Sequence, residues 1–170
     1  ATQGRALAHH TVFVGADPRS EFDALAAGRP PEDPTLYVCA EDRGTGLTPP
    51  GTERFEIIMN GPPLTAGPPE EEARCRIRVF ETLAARGLTF HPVPPPAALT
   101  DPARFAALFP GSAGSLYGPS PHGLMAPFRR PVARTRVEGL YLAGGGVHPG
   151  PGIPMATLSG RHAAEAILQD

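Results

Sequence analysis

Lysine is missing from this 170-residue chain: all fifteen basic residues are arginine. Against seventeen acidic residues they leave a net charge of −2, so bulk charge gives no reason to expect a nucleic-acid partner. With Ala, Gly and Pro abundant, the all-arginine usage fits a GC-rich coding bias better than a functional demand. Cysteine is scarce. Cys39 and Cys75 lie far apart with no C-x-x-C spacing, which reads as two reduced, partly buried thiols in a cytosolic-type protein. No run reaches about eighteen apolar residues, so the sequence offers no transmembrane helix. G-x-S-x-G is absent as well, and without that elbow Ser112, Ser115 and Ser120 near His122 do not make a hydrolase. His9-His10 has no third ligand at a suitable spacing, so no metal site is read there. The chain opens Ala1-Thr2-Gln3-Gly4-Arg5, with neither an initiator Met nor the character of a signal peptide; the expectation is a piece of a longer protein.

What is present is proline and glycine. The 23 Pro and 20 Gly make a quarter of the chain, approaching the level at which disorder becomes a concern. Apolar residues nonetheless stand at 41% and fall in periodic runs, so the reading is a folded α+β chain with long Pro-rich loops. Its length allows one core, or one core and a smaller lobe.

Three runs predict strands: His9 to Gly15, Leu36 to Ala40 and Phe55 to Met59. Between the first two, Ser20 is the expected N-cap of a short helix over 21–27, ended by Gly28. The strongest helix signal covers Pro69 to Arg86. Proline at its start costs little, and Glu70, Glu71 and Glu72 suit the positive end of the dipole. Ala73, Ile77, Phe80 and Ala84 form its expected apolar stripe. Glu70/Arg74 and Glu72/Arg76 are expected ion pairs on the wet side. Gly87 caps the helix, and Leu88 to Val93 is a short strand. Asp101-Pro102 supplies an N-cap and first residue for a helix running to about Phe109. Ser115 to Pro131 has no period of either kind, and long loops of that sort are usually functional or linkers.

The richest stretch runs from Val137 to Asp170. Leu140 to Ala143 predicts a short buried strand that stops at Gly144, Gly145 and Gly146. A Pro/Gly loop follows, and a helix opens near Pro154, with Leu158, Ala163, Ala166 and Ile167 as its buried side. A strand that ends in glycines and feeds a helix N-terminus lets backbone N–H groups approach a polar or anionic ligand. Taken alone, the glycines read rather as a flexible turn that needs positive φ, since a lone glycine cluster is weak evidence of a ligand. One strand cannot make a sheet, so residues 132–170 read as one unit of an α/β layer.

From Gly139 to Gly160, through His148-Pro149-Gly150-Pro151-Gly152-Ile153-Pro154-Met155, the chain closely resembles the C-terminal signature of the FAD-dependent, phytoene-desaturase-like carotenoid dehydrogenases. The His9-His10-Thr11 entry into a strand and the loop ending in Phe128-Arg129-Arg130-Pro131 resemble that family more weakly. The resemblance implies a two-domain flavoprotein. Residues 1–131 would belong to its substrate domain, with mixed sheet and helices, and 132–170 would be the closing strand and helix of a Rossmann-like FAD domain. The family's G-x-G-x-x-G fingerprint is absent and would lie upstream. Gly144, Gly145, Gly146, Gly152, Ile153, Pro154 and Met155 would bind FAD, with the helix N-terminus toward the flavin's N1–C2=O edge. His148, Tyr117 and Met125 would line the substrate, although the apolar residues of that loop read equally as plain core. Arg129 and Arg130 read by default as solvated.

The implied activity is desaturation of acyclic carotenoids, of the type that is hydroxylated or methoxylated, with hydride passing to FAD. The implied substrate is a long apolar polyene. The implied location is the bacterial cytoplasm, peripheral to the inner membrane. Two other readings stay open: a related flavoprotein of the amine oxidase, protoporphyrinogen oxidase or retinol saturase type, and a non-catalytic module that binds a lipid or a protein.

Overall fold

The computed structural model describes residues 2–44, 51–63, 69–119 and 124–170, with side chains for all of these except 69–72. The expected ion pairs of Glu70 and Glu72, and the residues Ser120 and His122, lie outside the described part. The chain forms two compact units, Ala1–Gly114 and Ser115–Asp170. The fold is mixed α/β.

The first unit is built on a sheet of β2 (His10–Phe13), β3 (Leu36–Ala40) and β4 (Phe55–Met59), with β3 central and both pairings antiparallel. Alternation along β3 sends Leu36, Val38 and Ala40 into the core, all essentially without exposure. Tyr37 and Cys39 turn to the other face. Strand β1 (Thr2–Gly4) pairs antiparallel with β5 (Leu88–Phe90). Nothing in Thr-Gln-Gly predicts a strand; β5 supplies the edge that makes it one. Gly4 is required there: its φ is +99° and a Cβ would lie 2.1 Å from the Gly87 carbonyl oxygen.

Helix α1 spans Pro18–Ala26 and is capped by Asp17, whose carboxylate accepts the Arg19 N–H at 3.0 Å. The expected cap, Ser20, instead lies inside the helix and donates to the Asp17 carbonyl at 2.8 Å. Proline is at home in the first turn, and this moves the helix start back before Pro18. From α1 the buried Glu21 accepts the Thr35 N–H and the Asn60 amide, both at 3.1 Å. It ties the helix to the β3 entry and the β4 exit.

Helix α2 (Pro69–Ala85) ends where expected; of the expected stripe Phe80 packs against the core, but the buried positions are others. Val79 and Leu83 are buried, whereas Ile77 is 48% exposed and Ala73 and Ala84 face outward. Two apolar stripes compete on this helix. The one holding Val79 and Leu83 wins because it packs with Leu7, Phe13, Leu36, Val38, Leu88 and Phe90 in one core. Phe90 meets Phe55 and Phe80 edge-on, with centroids 5.2 and 5.8 Å apart. Helix α3 (Pro102–Leu108) is capped as read, with Asp101 accepting the Arg104 N–H at 2.8 Å.

The second unit holds a one-turn helix, α4 (Ala126–Arg129), and the long α5 (Ile153–Leu168). The expected strand over Leu140–Ala143 does not form. Tyr141 makes a single bridge with Arg134, the Leu142 N–H reaches Ala133 at 2.8 Å, and Leu140 and Ala143 are exposed. A strand needs a paired edge along its length, and the 133–135 segment offers only a short one. Helix α5 packs through small residues. Ser159 and Ala163 are its buried positions, and the expected Leu158 and Ile167 are exposed.

Candidate functional site

Gly144 leaves Ala143 with φ +120°, a conformation that L side chains rarely adopt. Its N–H donates to the Ser159 hydroxyl at 2.9 Å, so the glycine turn is pinned to the buried face of α5. The carbonyl of Gly144 accepts the Val147 N–H at 3.1 Å, which closes the turn. Among the described residues, a Cβ at Gly144 or Gly146 would meet nothing within 4 Å, and one at Gly145 would meet the Pro151 Cα at 3.6 Å. Backbone therefore borders open space at Gly144 and Gly146, while Gly145 rests on the loop that enters α5.

That helix begins without a side-chain cap. Gly152, at φ +100°, occupies the cap position, Ile153 and Pro154 follow, and the first intrahelical bond runs from the Ala156 N–H to the Gly152 carbonyl at 2.9 Å. Pro154 has no N–H, so the Ile153 and Met155 amides are the donors of the first turn. Ile153, Pro154 and Met155 are all exposed. An uncapped start of a 16-residue helix carries partial positive charge and suits an electron-rich group. The seven predicted cofactor residues are thus gathered at one place: the glycine turn and the α5 start, joined through Gly145–Pro151 and Gly144–Ser159.

Arg130 was expected to face water, and it does not. Its guanidinium donates to the Gly145 carbonyl at 2.8 Å, to Tyr117 at 3.0 Å and to Pro119 at 3.4 Å. One side chain therefore holds the 117–119 loop against the glycine turn. The His148 N–H is held by the Pro131 carbonyl at 2.7 Å, while its ring is exposed. Tyr117 and Met125, the other predicted lining residues, are also exposed. Sequence reasoning missed both Arg130 and Ser159. The signal for Ser159 was present as a run of small residues at Ala156, Ser159, Gly160 and Ala163, which marks a close backbone approach.

At the other end of α5, Asp170 accepts from both the Arg134 guanidinium and the Tyr141 hydroxyl. Arg134 also donates to the Ala166 carbonyl at 3.1 Å. The hydrogen bond from Tyr141, and then that from Arg134, holds the Asp170 carboxyl below the usual carboxylate range. The same bond to Asp170 raises the Tyr141 phenol. This clamp fixes the segment before the glycines against the end of the helix that follows them.

Residues 68–168 match the family described as flavin containing amine oxidoreductase. The chain belongs to that family. Over 98% of its length it is 62% identical to a hydroxyneurosporene desaturase of Cereibacter sphaeroides, of which it covers 34%. It is 59% identical over 96% of its length to a protein of the same name from Rhodobacter capsulatus, covering 33% of it. A lycopene-forming phytoene desaturase of Pseudescherichia vulneris is 31% identical over 96% of the chain, which covers 35% of that protein. The chain thus spans about a third of the length of these curated relatives. A flavin fits what the second unit provides: backbone without side chains at Gly144–Gly146 and a helix start with amides to spare.

Proposed function

We propose that this chain is the part of an FAD-dependent acyclic-carotenoid desaturase that carries one edge of the flavin site. The observation behind the reading is the side-chain-free turn Gly144–Gly146 held beside the uncapped start of α5, in a chain so similar to hydroxyneurosporene desaturases. Residues 1–131 then belong to the substrate domain and 132–170 to the FAD domain. The substrate is a hydroxylated or methoxylated acyclic polyene, and a C–C single bond beside its conjugated system loses two hydrogens. FAD, when bound, supplies the acceptor for the hydride. The Ile153 and Met155 amides and the α5 dipole stabilise negative charge at the cofactor's polar edge. Gly144, Gly145 and Gly146 admit its polar chain without steric conflict. His148, Tyr117 and Met125 face the polyene.

A polyene is best loaded from a bilayer, so we place the protein in the cytoplasm, at the inner membrane surface. Leu124 and Phe128 give the 124–130 segment an apolar character. They stand beside Arg129, which suits an interface of acyl chains and anionic headgroups. The match to a family named for amine oxidation makes amines the natural competing substrate. Full-length protein incubated separately with an acyclic hydroxycarotenoid and with a panel of amines tests the assignment. Appearance of a longer conjugated chromophore is the expected result; turnover of amines alone would overturn it.

A further inference from the structure

In the first unit, the β2–β3 register sets His10 directly opposite Cys39. Residues paired in this way share one face of a sheet, with Cβ atoms about 5 Å apart. Because Leu36, Val38 and Ala40 take the core face, His10 and Cys39 share the other, with Glu56 opposite Cys39 on β4. His9 precedes β2, and its carbonyl accepts the Ala40 N–H at 2.8 Å, which fixes its backbone beside the end of β3. The His9 and His10 rings lie 3.9 Å apart between centroids. One ligand atom from each of His9, His10 and Cys39 falls within 4.8 Å of the others. The third ligand that linear spacing did not offer is supplied by strand pairing.

We propose that His9, His10 and Cys39 bind a divalent transition-metal ion of the zinc class, with water in the fourth position. Two imidazoles and a thiolate form a borderline-soft set that suits zinc, whereas magnesium and calcium take oxygen ligands. In a tetrahedral zinc site, neighbouring ligand atoms stand about 3.5 Å apart, so closure needs side-chain rotations of about an ångström. Cys39 is buried, His9 half-buried and His10 exposed, which leaves the cluster open on one side. His10 Nδ1 lies 2.7 Å from the Tyr37 hydroxyl. With its proton on Nδ1, the ring keeps its Nε2 lone pair for the metal, and Tyr37 acts as the outer partner that ligating imidazoles ordinarily have. Binding forms the metal–sulfur bond and releases the Cys39 thiol proton to solvent. Glu56 adds negative charge next to the site. The proposal rests on the first unit alone and does not depend on the flavin reading.

The test is cobalt(II) titration of the full-length protein, stripped with chelator and kept reduced, followed by difference absorbance. The expected result is one equivalent of cobalt with a thiolate-to-metal charge-transfer band that zinc abolishes. The band disappears in Cys39→Ser and persists in Cys75→Ser. His10→Asn, at an exposed position that leaves the fold intact, weakens binding at least ~10-fold, and Tyr37→Phe weakens it about 10- to 100-fold. Absence of the band, its survival in Cys39→Ser, or unchanged affinity in a His10→Asn protein of native circular dichroism would each overturn the proposal.

Discussion

A Cβ at Gly145 would make one ordinary contact, with the Pro151 Cα at 3.6 Å. The protein can therefore carry alanine at this position, but a cofactor lying against the backbone cannot. Gly145→Ala in the full-length protein should leave thermal stability nearly unchanged and lower the flavin bound per polypeptide. Gly144→Ala differs, because φ +120° strains any L side chain; it should cost about 1–3 kcal/mol of stability by denaturant titration. Full flavin occupancy in Gly145→Ala would remove that residue from the site. Asp170 gives a pH prediction. Its folded-state pKa is lowered by the Tyr141 and Arg134 hydrogen bonds, so its contribution is complete above the ordinary carboxylate value of about 4. That contribution is lost as the pH falls through the lowered value. NMR should find the Asp170 carboxyl titrating below a free aspartate, and Tyr141→Phe should move it back up.

At the scale of elements, α2 offers the sharpest contrast. Leu83 is fully buried and Ile77 is 48% exposed, although sequence periodicity favoured Ile77. Leu83→Ala should cost about 2–5 kcal/mol, and Ile77→Ala no more than about 0.5 kcal/mol; equal losses in denaturant titrations would mean that the helix face is wrongly assigned. Strands β3 and β4 and the caps at Asp101 and Gly87 were legible because composition, alternation and capping agree there. The face of α2 was not, because two stripes satisfy the same period and only the shape of the partner chooses between them. Cys39 beside His10 was illegible for a related reason: register is a tertiary fact, absent from linear spacing. The glycine turn and helix start were legible as a motif, but Ser159 and Arg130 were not, since each acts by reaching backbone that lies 15 residues away in sequence. Arg130→Gln should release the 117–119 loop from the glycine turn and weaken flavin retention during gel filtration. Retention equal to the unaltered protein would mean that the turn holds its shape without the guanidinium.

At the scale of the whole molecule, the chain contributes two compact units and spans about a third of its curated relatives. The second unit provides free amides and side-chain-free backbone, which the proposed function makes one edge of the flavin site, but its sequence holds no G-x-G-x-x-G phosphate loop. On that proposal, the remaining cofactor contacts fall to the rest of the protein. The most direct measurement is the visible absorption spectrum of the purified full-length protein, with the chromophore identified after denaturation. A flavin spectrum and release of FAD are the expected results. A colourless, folded protein that also fails to take up added FAD would contradict the proposal and reduce Gly144–Met155 to a structural turn.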